Sequence, residues 1–327
     1  MHALILGAAG MIGRRLTDAL ARSGSLSGRT LGALTLVDVV TPPAPAAFAG
    51  RIETQAADLS TPGAAEAAIA GRPDVIFHLA AVVSGEAEAD LEKGYRVNLD
   101  STRLLFEAIR HAHVAEGYRP RVVFTSSLAV FGPPLPPVIG DDMILTPATS
   151  YGAQKAMGEL LLSDYTRRGF FDGIGLRLPT ICVRPGKPNK AASSFFSDII
   201  REPLAGQEAV LPVPDTVRHW FASPRAATDF LVHAAGIDLA PLGLRRNLTM
   251  PGVSVTVAEQ IEALRRVAGD RAVALIRREP DPAILRIIET WPEAFATERA
   301  LALGFRADPS FDAIVALHVA ETGALRG

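Results

Sequence analysis

Tyr151 and Lys155 are four residues apart, so on a helix they share a face. A free tyrosine, with a pKa of about 10, is a poor base at neutral pH. A nearby ammonium favours the phenolate, and the pair could then take a proton from a hydroxyl while hydride leaves the same carbon. Ser127 closes the run Val122–Ser127 and could hydrogen-bond that oxygen. These three residues are the candidate catalytic set.

Hydride chemistry needs an acceptor, and a dinucleotide site is legible upstream. Gly7, Gly10 and Gly13 form G-x-x-G-x-x-G, with Met11 and Ile12 opening a helical pattern. Glycine permits the tight turn and the close approach of backbone to a pyrophosphate, and the helix N-terminus offers free N–H groups to the phosphates. Asp38 ends the second apolar run, where a carboxylate can accept from ribose hydroxyls and repel a 2′-phosphate. That favours NAD over NADP, and Val39 offers no basic side chain to reverse it, although Arg14 and Arg15 lie nearby in sequence. Asp58 and Leu59 lie where an adenine edge would pass, although Asp58 could equally be a helix N-cap. Leu79, Ala80 and Ala81 put small residues at the end of a strand. Asn98, a poor helix former, could serve a proton or water network.

The elements that must hold these residues alternate along the first half. Apolar runs predict strands at Ala3–Leu6, Ala33–Val39, Arg51–Ala57, Asp74–Leu79, Arg121–Ser126 and Gly173–Leu178. Helical patterns predict Met11–Ser23, Pro62–Ala70, Asp90–His113 and Tyr151–Arg168 between them. Continuous Val/Ile/Leu runs with helical crossovers read as an α/β fold, a doubly wound parallel sheet. Beyond Leu178 the pattern loosens, with helical stretches at Phe195–Arg201 and Arg225–Ala235 and extended ones at Val210–Val213 and Arg246–Met250. The expected organisation is a dinucleotide-binding domain over 1–178 and a smaller, interleaved substrate-binding lobe over 179–327, with segments near 214–250 returning to the first domain.

Composition bounds the partners. The 327 residues are 48% hydrophobic and 21% charged, with a net charge of −2. Nucleic acid and membrane surfaces are therefore not expected as partners. No run reaches the ~20 apolar residues of a membrane span, and the first residues lack the basic start of a secretory signal. Cys182 is the single cysteine, which fits a reducing, cytoplasmic setting. The histidines and Cys182 show no convincing ligand spacing, so no metal is expected.

Together the residues resemble the extended short-chain dehydrogenase/reductase family. The likeness runs from the start to about Gly186 and is carried by the glycine motif, Asp38, Asp58-Leu59, Leu79–Ala81, Asn98, Thr125-Ser126-Ser127, Val130-Phe131-Gly132 and the Tyr151/Lys155 pair. The resemblance implies an NAD-binding Rossmann domain, with Pro179 and Ile181 adding cofactor contacts, and a homodimer. Phe131 departs from the Tyr of many sugar-nucleotide members.

Leu178–Phe195 and Ala80–Gly85 have a narrower resemblance, to members that oxidise a short sugar acid at C2. It implies substrate contacts at Ser84, Gly85, Thr180, Arg184, Asn189, Ser193 and Arg218, with Ser127 and Tyr151. These types suit a carboxylate flanked by hydroxyls, since arginine can bind a carboxylate through two parallel hydrogen bonds. His219, between Arg218 and Trp220, reads as structural. The competing readings are a sugar-nucleotide epimerase or dehydratase and a non-catalytic NAD-sensing protein; the latter would have no use for an intact Ser127/Tyr151/Lys155 set.

Overall fold

The computed structural model describes residues 1–186 and 193–324. Two compact units divide the chain. The first comprises Met1–Val130, Thr149–Arg177 and Thr228–Thr249; the second comprises Phe131–Ala148, Leu178–Ala227 and the chain from Met250 on. This differs from the sequence expectation in two places. The chain leaves the first unit at 131 rather than 179, re-enters it over 149–177, and returns again only from 228. The excursion has a packing cause. Phe131 is buried against Phe295, with ring centroids 5.6 Å apart, and the buried Ile139 bridges to the same residue.

A seven-stranded sheet forms the first unit. Its order, edge to edge, is Asn247–Thr249, Asp172–Leu178, Arg121–Ser127, Val75–His78, His2–Leu6, Ala33–Asp38 and Arg51–Ala56. Strands from His2–Leu6 outward to Arg51–Ala56, and from His2–Leu6 to Arg121–Ser127, pair in parallel, as do Asn247–Thr249 and Asp172–Leu178. The chain winds one way from the central strand and then the other, which is the doubly wound, Rossmann-type arrangement. Central strands are buried on both faces and accordingly apolar. Arg51–Ala56 is an edge strand, mostly exposed, and correspondingly polar. Leu4, Leu6, Ile76, Val122 and Phe124 meet Leu105, Phe106 and Ile109 of the helix Ser101–Glu116 in one core.

The expected helix over 90–113 is broken. Short helices at Ser84–Ala89 and Leu91–Gly94 lead into a π-helical turn, Tyr95–Asp100, and only then Ser101–Glu116. Buried Asn98 sits in that turn, and such turns inside helices are frequent at functional sites. A small hairpin, Ser25–Leu26 with Arg29–Thr30, was not expected.

In the second unit, Arg218–Ala222 pairs with Val253–Thr256 and with Thr180–Ile181, while Ala209–Leu211 pairs with Ile276–Arg278. Its core gathers Phe196, Ile199 and Ile200 from the helix Phe195–Leu204 with Phe221, Ile261, Leu264 and Phe311.

Candidate active site

The glycine loop is shaped by contacts that tolerate no side chain. Gly7 has φ +86°, and a Cβ there would lie 2.7 Å from the backbone nitrogen of Ala80; a Cβ on Gly13 would lie 2.1 Å from the Gly7 carbonyl oxygen. Gly7 and Ala8 both donate to the Val37 carbonyl, and Leu79 donates to that of Leu6. The loop is thus clamped between the ends of three neighbouring strands, and Leu79 and Ala80 are brought against it. Gly10 caps the helix Met11–Ser23 without a side chain. The first N–H groups at Met11 and Ile12 therefore have neither an intrahelical acceptor nor a side-chain cap, as an anion site requires.

Asp38 reaches the same loop. Its carboxylate accepts from the Ala9 N–H at 2.9 Å and from the Val39 N–H at 2.7 Å, which fixes it at the strand end. Asp58 makes a tight turn instead of capping a helix, accepting from the N–H and hydroxyl of Ser60 and pairing with Arg96 at 2.9 Å. Burial raises its pKa, but these hydrogen bonds and the guanidinium outweigh that and hold it below the usual carboxylate range. The Leu59 side chain is buried in the core. Asn98 accepts from the Val82 N–H at 2.9 Å and donates to the Val82 carbonyl and to Gln154. It clamps the segment following Leu79–Ala81 onto the helix Ser150–Arg167. Ala81 and Gly85 are exposed, and Ser84 is half-buried at the start of its helix.

Thr149 accepts from the Gly152 N–H and starts the helix Ser150–Arg167, setting Tyr151 in its first turn. One turn on, Lys155 is buried. Its Nζ donates to the Thr125 carbonyl at 2.9 Å, lies 5.0 Å from the centroid of the Phe124 ring, and stands 5.8 Å from that of Tyr151. Burial pulls its pKa down to about 8, against the attraction of Glu159. Ser127 ends its strand half-buried, its hydroxyl accepting from the Ala129 N–H at 3.2 Å.

Sequence reasoning missed a second buried turn of chemistry. Glu159, four residues beyond Lys155, takes a bidentate pair from Arg177 (Nε at 2.9 Å, Nη2 at 2.7 Å) and a hydrogen bond from Ser126 at 2.5 Å. A lone arginine inside the apolar run Gly173–Leu178 was the available signal. His78 was also missed. It contacts Thr102 at 2.8 Å, and burial together with nearby Lys155 pushes it down to about 3, so it is neutral.

The second unit holds the remaining candidates. Arg184 donates to the Ile181 carbonyl at 3.1 Å and to Ser193 at 3.2 Å. Arg218 donates to the Ser254 carbonyl at 3.0 Å and pairs with Glu259 at 3.3 Å. Pro179 and Ile181 are buried, and Thr180 is half-buried with its hydroxyl 2.6 Å from His219. Asn189 lies outside the described residues. Among the described residues no group of His, Cys, Asp and Glu could hold a metal ion, and no helix is long and apolar enough to cross a membrane.

The uncapped helix N-terminus, the side-chain-free loop and the carboxylate at the second strand end fit a dinucleotide, and the fold is that of a dinucleotide-binding α/β protein. The model of the NAD dependent epimerase/dehydratase family matches residues 3–222, and the chain belongs to that family. NAD is its cofactor. The chain is 51% identical to a D-erythronate dehydrogenase of Cupriavidus necator over 99% of either chain. It is 42% identical to a D-erythronate dehydrogenase of Haemophilus influenzae, over 96% of this chain and 98% of that one. A solved structure described as the nucleoside-diphosphate-sugar epimerase from Agrobacterium tumefaciens is 63% identical, with a TM-score of 0.97 over 98% of this chain and 94% of that one.

Proposed function

We propose that this chain is an NAD-dependent dehydrogenase that oxidises the C2 hydroxyl of D-erythronate to 2-oxo-D-erythronate. The observation that carries the substrate is the near full-length identity to two D-erythronate dehydrogenases. In this reading the N-terminus of the helix Met11–Ser23 holds the pyrophosphate and Asp38 the adenosine ribose. NAD, when bound, supplies the acceptor for the C2 hydride. Ser127 hydrogen-bonds the C2 oxygen and fixes it. Tyr151 takes the hydroxyl proton as the carbonyl forms. Lys155, held by Thr125, puts a positive charge near the Tyr151 ring and so favours the phenolate. Arg184 supplies a cation for the substrate carboxylate, with Thr180 and Ser193 as hydroxyl partners. The single buried cysteine supports a reducing compartment, the cytoplasm, and the family resemblance favours a homodimer.

The name of the 63% identical structure favours a second reading, a sugar-nucleotide epimerase. Phe131 speaks against it: the ring is buried on Phe295 and offers no hydroxyl where many sugar-nucleotide members have one. The two readings separate in a panel of four- to six-carbon aldonates and UDP-sugars, each with NAD and NADP, followed by NADH or NADPH absorbance and by product analysis of the UDP-sugars. We expect turnover of D-erythronate with NAD and little reaction of UDP-sugars. Epimerised UDP-sugar with inert D-erythronate would overturn the proposal.

A further inference from the structure

His219 lies in an aromatic box. Its ring stacks on Phe196 at 5.2 Å with 2° between planes, meets Phe221 edge-on, and lies 5.3 Å from Trp291. Both ring nitrogens are spoken for. Nδ1 is 3.1 Å from the Pro292 carbonyl oxygen and Nε2 is 2.6 Å from the Thr180 hydroxyl. A carbonyl can only accept, so Nδ1 carries the proton. Burial pushes the imidazole pKa down to about 3, with the Arg184 guanidinium adding to the effect, so the ring is neutral. Nε2 is then a bare acceptor, and the Thr180 proton must point at it. What remains on Thr180 is a pair of lone pairs on a half-buried oxygen, two residues past the strand Asp172–Leu178. The carboxyl ends of such strands are where ligands of this fold sit.

We propose that His219 is a positioning residue that fixes Thr180 as a hydrogen-bond acceptor, so that Thr180 selects a substrate carrying a free hydroxyl donor beyond the one that is oxidised. This rests on the sugar-acid reading above and adds the polarity of one contact to it. The site would discriminate against an analogue that lacks the hydroxyl or replaces it by fluorine, because neither can donate. A threonine free to rotate would donate to the fluorine and treat the two analogues differently.

The test uses steady-state kinetics with D-erythronate and its 3- and 4-deoxy and deoxyfluoro analogues, on wild type, Thr180→Val, Thr180→Ser and His219→Phe. For one of the two positions, wild type should lose roughly ten-fold or more in kcat/KM with both analogues alike. Thr180→Val should erase that preference at little cost to NAD affinity measured by titration, and Thr180→Ser should restore it. His219→Phe, which keeps the box apolar, should narrow the gap between parent and fluoro analogue. If His219→Phe does not fold, the threonine pair still decides. Wild type that accepts the fluoro analogues as well as the parent, or Thr180→Val with unchanged discrimination, overturns the inference. Failure of wild type to oxidise D-erythronate at all would instead bring down the substrate reading, and this inference with it.

Discussion

Lys155 Nζ donates to the main-chain carbonyl of Thr125 at 2.9 Å, which ties the helix carrying Tyr151 to the strand that ends in Ser127. The bond crosses from side chain to backbone, so the position of the charge depends on the strand path and not on another titratable group. Burial sets the energetic terms: a cation removed from water keeps its charge less readily.

That relationship predicts a pH limit. Lys155 sits at about 8, lowered by burial. Below that value it is charged and, in the proposed mechanism, supports the Tyr151 phenolate; above it the charge, and with it that support, is lost. The rate of oxidation should therefore fall on the alkaline side, beginning near pH 8. Glu159 raises the Lys155 pKa, so Glu159→Gln should move the limb to lower pH. A pH–rate profile in overlapping buffers checks both, and a wild-type rate that climbs without a break through this region would contradict them.

Tyr151→Phe removes the proposed proton acceptor and leaves the ring. We expect kcat to fall by roughly 10²–10⁴-fold, the scale for a positioned acid–base group, with NAD affinity nearly intact by fluorescence titration. Near-normal turnover would exclude Tyr151 as the base.

The role proposed for Asp38 predicts the cofactor choice. Its carboxylate is fixed by two backbone N–H groups at the strand end. Wild type should prefer NAD over NADP by ten-fold or more in kcat/KM, about 1.4 kcal/mol. Asp38→Ala should erode that preference, mainly by improving relative use of NADP. Equal use of both cofactors by wild type would remove the role assigned to Asp38.

The Glu159–Arg177 pair is 2% and 10% exposed. Glu159→Ala would take the carboxylate away from a buried guanidinium, and removing one partner of such a pair costs about 3–5 kcal/mol. Arg177→Met alone leaves the buried carboxylate without its counter-charge, with Ser126 still donating to it, and should cost a similar amount. The double variant Glu159→Met/Arg177→Met should be milder than either. Urea unfolding at neutral pH measures all three, and additive losses in the double variant would show that the two residues do not act as a pair.

The two candidate arginines sit in different surroundings. Arg218 is held by Ser254 and Glu259, and Arg184 by the Ile181 carbonyl and by Ser193, the proposed hydroxyl partner. Arg184→Ala should raise KM for D-erythronate by roughly ten-fold or more, as loss of a charge-assisted contact would, and Arg218→Ala should change it little. The reverse ranking would reassign the carboxylate to Arg218.

The candidate residues were legible because their spacing is local. Gly7, Gly10 and Gly13 mark a strand–turn–helix within one short segment, and Tyr151 and Lys155 share a helix face by periodicity alone. The parallel sheet was legible too, since doubly buried strands must be continuous apolar runs. What the sequence could not determine are pairings between distant segments. Nothing local says that Lys155 meets Thr125, that Arg177 in an apolar strand finds Glu159, that Asn98 breaks its helix to hold Val82, or that Thr180 orients on His219. The path of 131–148 into the second unit was equally hidden, because Phe131 finds a ring partner and Ile139 a backbone partner at distant Phe295. By itself the sequence determined the periodic elements and the residue types of a dinucleotide site. Tertiary structure alone decided which buried polar groups satisfy one another, because a buried donor or acceptor must be paired and its partner is set by where the chain packs.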